Sequence, residues 1–303
     1  MWHQRIRAPA TVPGLLVLVL LALGLIFWWL TLPDTLEPAE LSFAEPDPVN
    51  GELMFHAASC AACHEADLRG GRELNTAFGV FRVPNISPDP ETGIGNWSTT
   101  DFLNAMLRGV SPKGQHYYPS FPYTSYARMQ VQDVVDLKAY IDTLPPVQNT
   151  VAAHELGFPW NVQRGIGLWK RRYLSAEPVV QLPENAEPDL QRGRYLVEGP
   201  GHCGECHTGR DAYGGLRSQG WLAGAANLEG DGRIPDITPA SRSVGEWSAK
   251  DIVYYLETGF TPEFDTVGGS MVAVQENLAR LSPDDRAAIA VYLKAIPAQA
   301  PSE

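Results

Sequence analysis

The chain has 303 residues, enough for two ordinary domains, and its 44% hydrophobic and 19% charged residues are a globular balance, not a disordered one. A formal charge of −12 argues against nucleic acid as a partner and favours one that presents a basic patch.

Residues 1–13 carry Arg5 and Arg7, and the run Gly14 to Leu32 that follows is nineteen residues without a charge. A hydrocarbon core of roughly 30 Å needs about 20 such residues in a helix, so 14–32 is expected to be a transmembrane anchor. Asp34, Glu37 and Glu40 lie beyond it, and the positive-inside bias then leaves residues 1–13 in the cytoplasm. The rest is expected in the periplasm, held at a bacterial inner membrane, with Trp28 and Trp29 at the outer interface. A cleaved signal peptide is the rival reading. Its apolar region would be shorter, roughly 7–15 residues, and Phe27-Trp28-Trp29-Leu30 is a poor cleavage site. Residues 33–49 follow as a proline-rich, acidic tether.

All four cysteines lie in two motifs, Cys60-Ala61-Ala62-Cys63-His64 and Cys203-Gly204-Glu205-Cys206-His207. Cys-x-x-Cys-His is the attachment signature of c-type haem. Two thiols on one helical turn reach the two vinyl groups of one porphyrin, and the adjoining His64 or His207 offers an imidazole to the iron. A thioredoxin-like pair would need a βαβ context, which the sequence lacks. A four-cysteine zinc site would not need the histidines, and paired disulfides are the bland alternative for an exported domain. Two covalently bound haems c are the expectation.

The motifs head two related units, 50–146 and 189–297, joined by a connector over 147–188 and followed by a tail, 298–303. Val83-Pro84-Asn85-Ile86 answers Ile234-Pro235-Asp236-Ile237, and Gly95-Asn96-Trp97-Ser98 answers Gly245-Glu246-Trp247-Ser248. The offset is 143 at the haem motifs and 150–152 later, so the second unit carries about eight extra residues after its haem site. Ser98 with Asp101, and Ser248 with Asp251, read as capping boxes, and Gly109 and Gly259 as helix ends. Apolar residues at helical spacing mark terminal helices through Val134, Leu137 and Ile141, and through Ile289, Tyr292 and Leu293. The fold class is therefore all-α: two tandem cytochrome c-type haem domains behind a single N-terminal transmembrane helix.

A methionine as second axial ligand closes the iron and raises its potential, whereas an open position admits a substrate. Met271, in Gly268-Gly269-Ser270-Met271, is expected to serve the second haem. In the first unit the place of Met271 falls at Pro119-Ser120-Phe121, which offers no ligand. Met129 is the expected ligand there, His116 and an open iron are the alternatives, and Met106 reads as core packing. The connector's aromatic and basic stretch, Phe158-Pro159-Trp160 through Lys170-Arg171-Arg172-Tyr173, is expected to pack between the domains. Its other reading is a contact for anionic headgroups or an acidic partner. His56, His154 and His202 read as unligated surface or cap residues.

With Asn85-Ile86-Ser87-Pro88-Asp89, Tyr118-Pro119-Ser120-Phe121-Pro122-Tyr123 and Gly268-Gly269-Ser270-Met271, the chain resembles the cytochrome c subunits of membrane-bound periplasmic dehydrogenases. Those subunits serve enzymes acting on alcohol, gluconate, fructose or aldehyde. The resemblance covers roughly residues 50–297 and departs in two ways. Such subunits commonly have three haem domains, and many read methionine where this chain has Phe121. It implies an electron carrier with no catalytic residues of its own. The expected donor is a periplasmic dehydrogenase or quinol-oxidising complex, and the expected acceptor an oxidase or soluble cytochrome. The alternative is a diheme enzyme, a peroxidase or thiosulfate dehydrogenase, working at an open first haem.

Overall fold

The computed structural model describes residues 11–227, 230 and 232–297, so the expected cytoplasmic N-terminus with Arg5 and Arg7, and the C-terminal tail, lie outside the described residues. Helix α1 (Thr11–Leu30) is 20 residues long, about 30 Å at 1.5 Å per residue, and its leucines from Leu15 to Leu25 are exposed. Counted over the described side chains, which begin at Gly14, no helix is long and apolar enough to cross a membrane.

The first unit contains α2 (Pro48–Ala57), the haem-motif helix α3 (Cys60–His64) and a hairpin of β1 (Glu73–Thr76) and β2 (Gly79–Arg82). Helices α4 (Thr99–Leu103), α5 (Tyr123–Tyr126) and α6 (Val131–Ile141) complete it. The connector supplies β3 (Glu155–Leu156) and α7 (Ile166–Tyr173). In the second unit come α8 (Pro188–Glu198), the haem-motif helix α9 (Gly204–His207), and β4 (Ala225–Ala226) paired with β5 (Arg233–Ile234). Helices α10 (Ala249–Thr258), α11 (Met271–Leu278) and α12 (Pro283–Ala295) close the chain. The fold is mostly helical, and the all-α expectation is corrected by these two small antiparallel sheets, the first in the order β1-β2-β3. Strands of two to four residues are too short for alternation to show in a sequence.

Each unit is organised around one crossing of its first and last long helices, α2 on α6 and α8 on α12. Glycine makes both crossings close: a Cβ on Gly51 would collide with the Asp136 carbonyl, and one on Gly193 with the Ala288 carbonyl. Backbone cannot yield as a side chain can. Gly193→Ala is therefore expected to cost about 1–3 kcal/mol of stability, seen as a lower denaturant midpoint at an unchanged slope. An unaltered midpoint would mean that the helices do not meet at this residue. Met54, Leu103, Leu137 and Ile141 fill the first core, and Leu196, Val197, Tyr292 and Leu293 the second.

Both capping boxes form as the sequence predicts, and Gly109 and Gly259 end the middle helices at φ +59° and +77°. The first of these helices differs from its twin, because beyond Leu103 it widens into a π-helical turn, Asn104–Arg108. There the Asn104 amide takes a hydrogen bond from the Leu36 N–H and gives one to the Leu36 carbonyl, fixing the tether against the unit.

The connector does pack between the units. Trp169 Nε1 donates to the Tyr213 carbonyl and the Tyr173 hydroxyl to Asp211, while the Trp169 ring lies 6.4 Å from Tyr123. Its basic residues are used internally. Lys170 donates to the Arg108 and Gly109 carbonyls, where the middle helix of the first unit ends, and burial pulls its ammonium down to about 7. Arg164 and Arg171 donate to the Trp28 and Leu30 carbonyls at the C-terminal end of α1. Cations at helix C-termini satisfy the last carbonyls and complement the dipole.

Candidate haem centres

Each haem motif sits on a single helical turn entered from a residue in the left-handed region, Ser59 at φ +48° and His202 at φ +38°. Among the described residues no disulfide forms, and the cysteines do not converge into one metal-binding cluster. Burial pushes the Cys60 and Cys203 thiols up to about 12, so they are neutral thiols. A redox-active pair needs an accessible thiolate, the opposite condition.

The histidines are oriented alike. His64 Nδ1 is 2.8 Å from the Pro84 carbonyl and His207 Nδ1 is 2.8 Å from that of Pro235. A carbonyl can only accept, so Nδ1 carries the proton and Nε2 is left as the donor atom for a metal. Burial holds both imidazoles neutral, His64 at about 4 and His207 below the usual histidine range, with the proline carbonyls opposing in part. The repeated Val-Pro-Asn-Ile and Ile-Pro-Asp-Ile segments thus supply the group that orients each imidazole. The sequence displayed that repeat without disclosing its task. It also gave no sign of a matching pair, Leu68 at φ +62° and Leu222 at φ +61°, whose carbonyls accept from the Ile86 and Ile237 N–H at 3.0 Å.

Two thiols on one turn, followed by an imidazole fixed through Nδ1, are the donor set that a covalent haem requires, and the residues fit it twice. The comparisons agree. The cytochrome c family model matches residues 48–145. A diheme cytochrome c-type protein of Cereibacter sphaeroides is 48% identical over 292 residues, covering 93% of this chain and 96% of that protein. The chain belongs to the diheme c-type cytochromes.

This cytochrome is also 36% identical over 274 residues to the fructose dehydrogenase cytochrome subunit of Gluconobacter japonicus, covering 88% of this chain and 56% of that subunit. To the cytochrome c subunit of the quinone-linked alcohol dehydrogenase of Gluconobacter oxydans it is 35% identical over 260 residues, covering 82% and 54%. It thus spans little more than half the length of these dehydrogenase subunits. It is a two-haem electron carrier related to them.

The repeat fixes where the methionines of the cytochrome stand. Tyr117 N donates to the Gly109 carbonyl and Val267 N to that of Gly259, both at 2.7 Å, so Phe121 occupies the place of Met271. Met271 opens α11, half-buried against the second core. Phe121 instead packs its ring on Tyr117, Tyr123 and Tyr126. Met129 precedes α6 as Leu281 precedes α12; it is 5% exposed, in the same cluster as Met106. His116 Nε2 is engaged 2.9 Å from the Thr31 carbonyl.

Between His207 and Leu222 the second unit has the extra length that the changing offset announced, a loop holding Asp211 and Tyr213. This insertion receives Trp169 and Tyr173 of the connector.

Proposed function

We propose that this diheme cytochrome is a membrane-tethered shuttle of the bacterial periplasm, moving electrons from a dehydrogenase or quinol-oxidising complex to an oxidase or soluble cytochrome. Cys60, Cys63, Cys203 and Cys206 hold the two haems as thioethers. His64 with Met129, and His207 with Met271, are the axial ligands. Each haem supplies a one-electron couple; the protein supplies the aimed imidazoles and the apolar enclosure that set its potential. The observation that carries the reading is the doubled His–Pro carbonyl pair in a chain related to dehydrogenase cytochrome subunits.

Residues 14–32 are the proposed anchor. The nineteen-residue run is within the roughly 17–25 residues that spanning requires, and Arg164 and Arg171 stack on Trp28 and Trp29 at its outer end. The test is to express the full chain and, behind a cleavable export signal, residues 33–303. Alkaline washing is expected to leave the first in the membrane and release the second with both haems attached. Both should be reduced by a periplasmic dehydrogenase supplied with its substrate. Failure of every such donor to reduce the cytochrome would defeat the shuttle reading.

The place of Phe121 favours one second reading, a peroxidase-like enzyme open at the first iron. Turnover of hydrogen peroxide by the purified cytochrome, lost on Phe121→Met, would select it.

A further inference from the structure

The two haem-motif turns face each other across the junction between the units, and the contacts are made by residues that the duplication does not repeat. His202 directly precedes Cys203. Its counterpart in the first unit is Ser59, in the same left-handed conformation, so the backbone at this place does not call for histidine. What differs is reach. The half-buried His202 ring lies beside the backbone of Ala58 and 5.6 Å from the ring of Tyr126. Tyr126 in turn is 6% exposed, shares a cluster with Cys60 and Ala61, and lies close to both Cys60 and Cys63. A continuous chain of packed groups therefore runs from the first thioether turn through Tyr126 and His202 to Cys203.

The junction is braced around this pair. Glu205, inside the second haem motif, accepts hydrogen bonds at 2.9 Å from Thr124 and Ser125 of α5, the helix that carries Tyr126. Tyr195 donates to Asp133, and His56 Nδ1 is 2.9 Å from Asn277 Oδ1. Ala57 packs into the second core. An interface braced at these points keeps the two rings in one arrangement, which an electron path needs.

We propose that Tyr126 and His202 are the bridge through which an electron passes between the two haems. The proposal rests on the electron-carrier reading above and names the route inside it. One electron leaves the ferrous iron of one haem, which is oxidised, and reduces the ferric iron of the other. No bond is made or broken and no proton moves, so neither ring needs to change state. Both are positioning residues that fill the gap between the redox centres.

The test uses the full-length holoprotein in detergent. A short pulse of photoreductant delivers less than one electron per molecule, and redistribution between the haems is followed through their separately titrated optical spectra. His202→Asn, which tolerates the left-handed backbone, and Tyr126→Leu are each expected to slow redistribution about tenfold, equivalent to about 1.4 kcal/mol in the barrier. Tyr126→Phe, which keeps the ring, should restore the rate. Haem content stays at two per chain, and the two midpoint potentials remain close to those of the wild type. Unchanged redistribution in His202→Asn and Tyr126→Leu, with both haems attached, overturns the bridge. Slowing accompanied by haem loss or by displaced potentials would assign these residues to haem binding, and overturns it too. A wild-type protein whose two attached haems exchange no electron would defeat the electron-carrier reading instead.

Discussion

Met271→Leu is expected to open the second haem iron, lower its potential by on the order of 100 mV and leave the first haem unchanged. A leucine keeps the volume and the start of α11 but has no lone pair for iron. The thioether is the axial donor that raises a haem potential, one of the levers through which axial ligands span about 0.8 V. Met271 is the residue proposed for this role; it is half-buried at the first turn of α11 and packed against the second core. Carbon monoxide added to the ferrous protein, and cyanide added to the ferric protein, report the change optically. The wild type should bind neither readily, Met271→Leu should bind both at one haem, and Met129→Leu should do so at the other. Prompt cyanide binding by the wild type would show that an iron is already open, and Phe121 makes the first haem the one concerned. Wild-type behaviour in Met271→Leu would remove Met271 from the ligand set.

The parts of this molecule visible in its sequence are those fixed by local chemistry. Cys60 to His64 and Cys203 to His207 are contiguous, and Ser98-Asp101 and Ser248-Asp251 satisfy helix ends within one turn. The register that sets Phe121 against Met271 was equally plain, because duplicated segments flank it. What stayed hidden was whatever joins distant residues. Nothing local tells that the Pro84 carbonyl orients His64, 20 residues earlier, or that Lys170 closes the helix ending at Gly109. His202 read as a surface or cap residue, since a lone histidine beside a haem motif carries no mark of the partner across the junction. The strands escaped notice for a different reason: β3 contributes two residues, and its pairing with Gly79 and Val80 is set by the return of the connector.

Duplication also explains where the two units had to diverge. Shared elements build each haem site: the crossed helices, the His–Pro carbonyl pair and the capped middle helix. The unshared elements face the partner unit, the connector or the tether. The loop with Asp211 and Tyr213 receives the connector, Asn104 holds the tether, and His202 meets Tyr126. Two copies of one carrier become a single conductor only through such differences.

One brace of the unit junction is a buried carboxylate, and Glu205→Leu is expected to destabilise the protein by about 3–5 kcal/mol. Glu205 is 8% exposed in its side chain and pairs with Arg210 at 2.5 Å while accepting from Thr124 and Ser125. Burial works to raise its pKa, but Arg210 and the two hydroxyls outweigh that and hold it below the usual carboxylate value. A leucine leaves the Arg210 guanidinium without its anion in a half-buried site and two buried hydroxyls without an acceptor, each a recognised source of large losses. Glu205→Gln keeps the acceptor oxygen but not the charge and should lose less. Because Thr124 and Ser125 lie in the first unit and Arg210 in the second, the loss falls on their docking more than on either core. Denaturant unfolding of Glu205→Leu should accordingly split into two transitions where the wild type shows one. Both haems should stay covalently attached, since neither thioether turn loses a cysteine. A single transition at the wild-type midpoint would show that the units are held together elsewhere, and Tyr195 with Asp133 would be the next pair to remove.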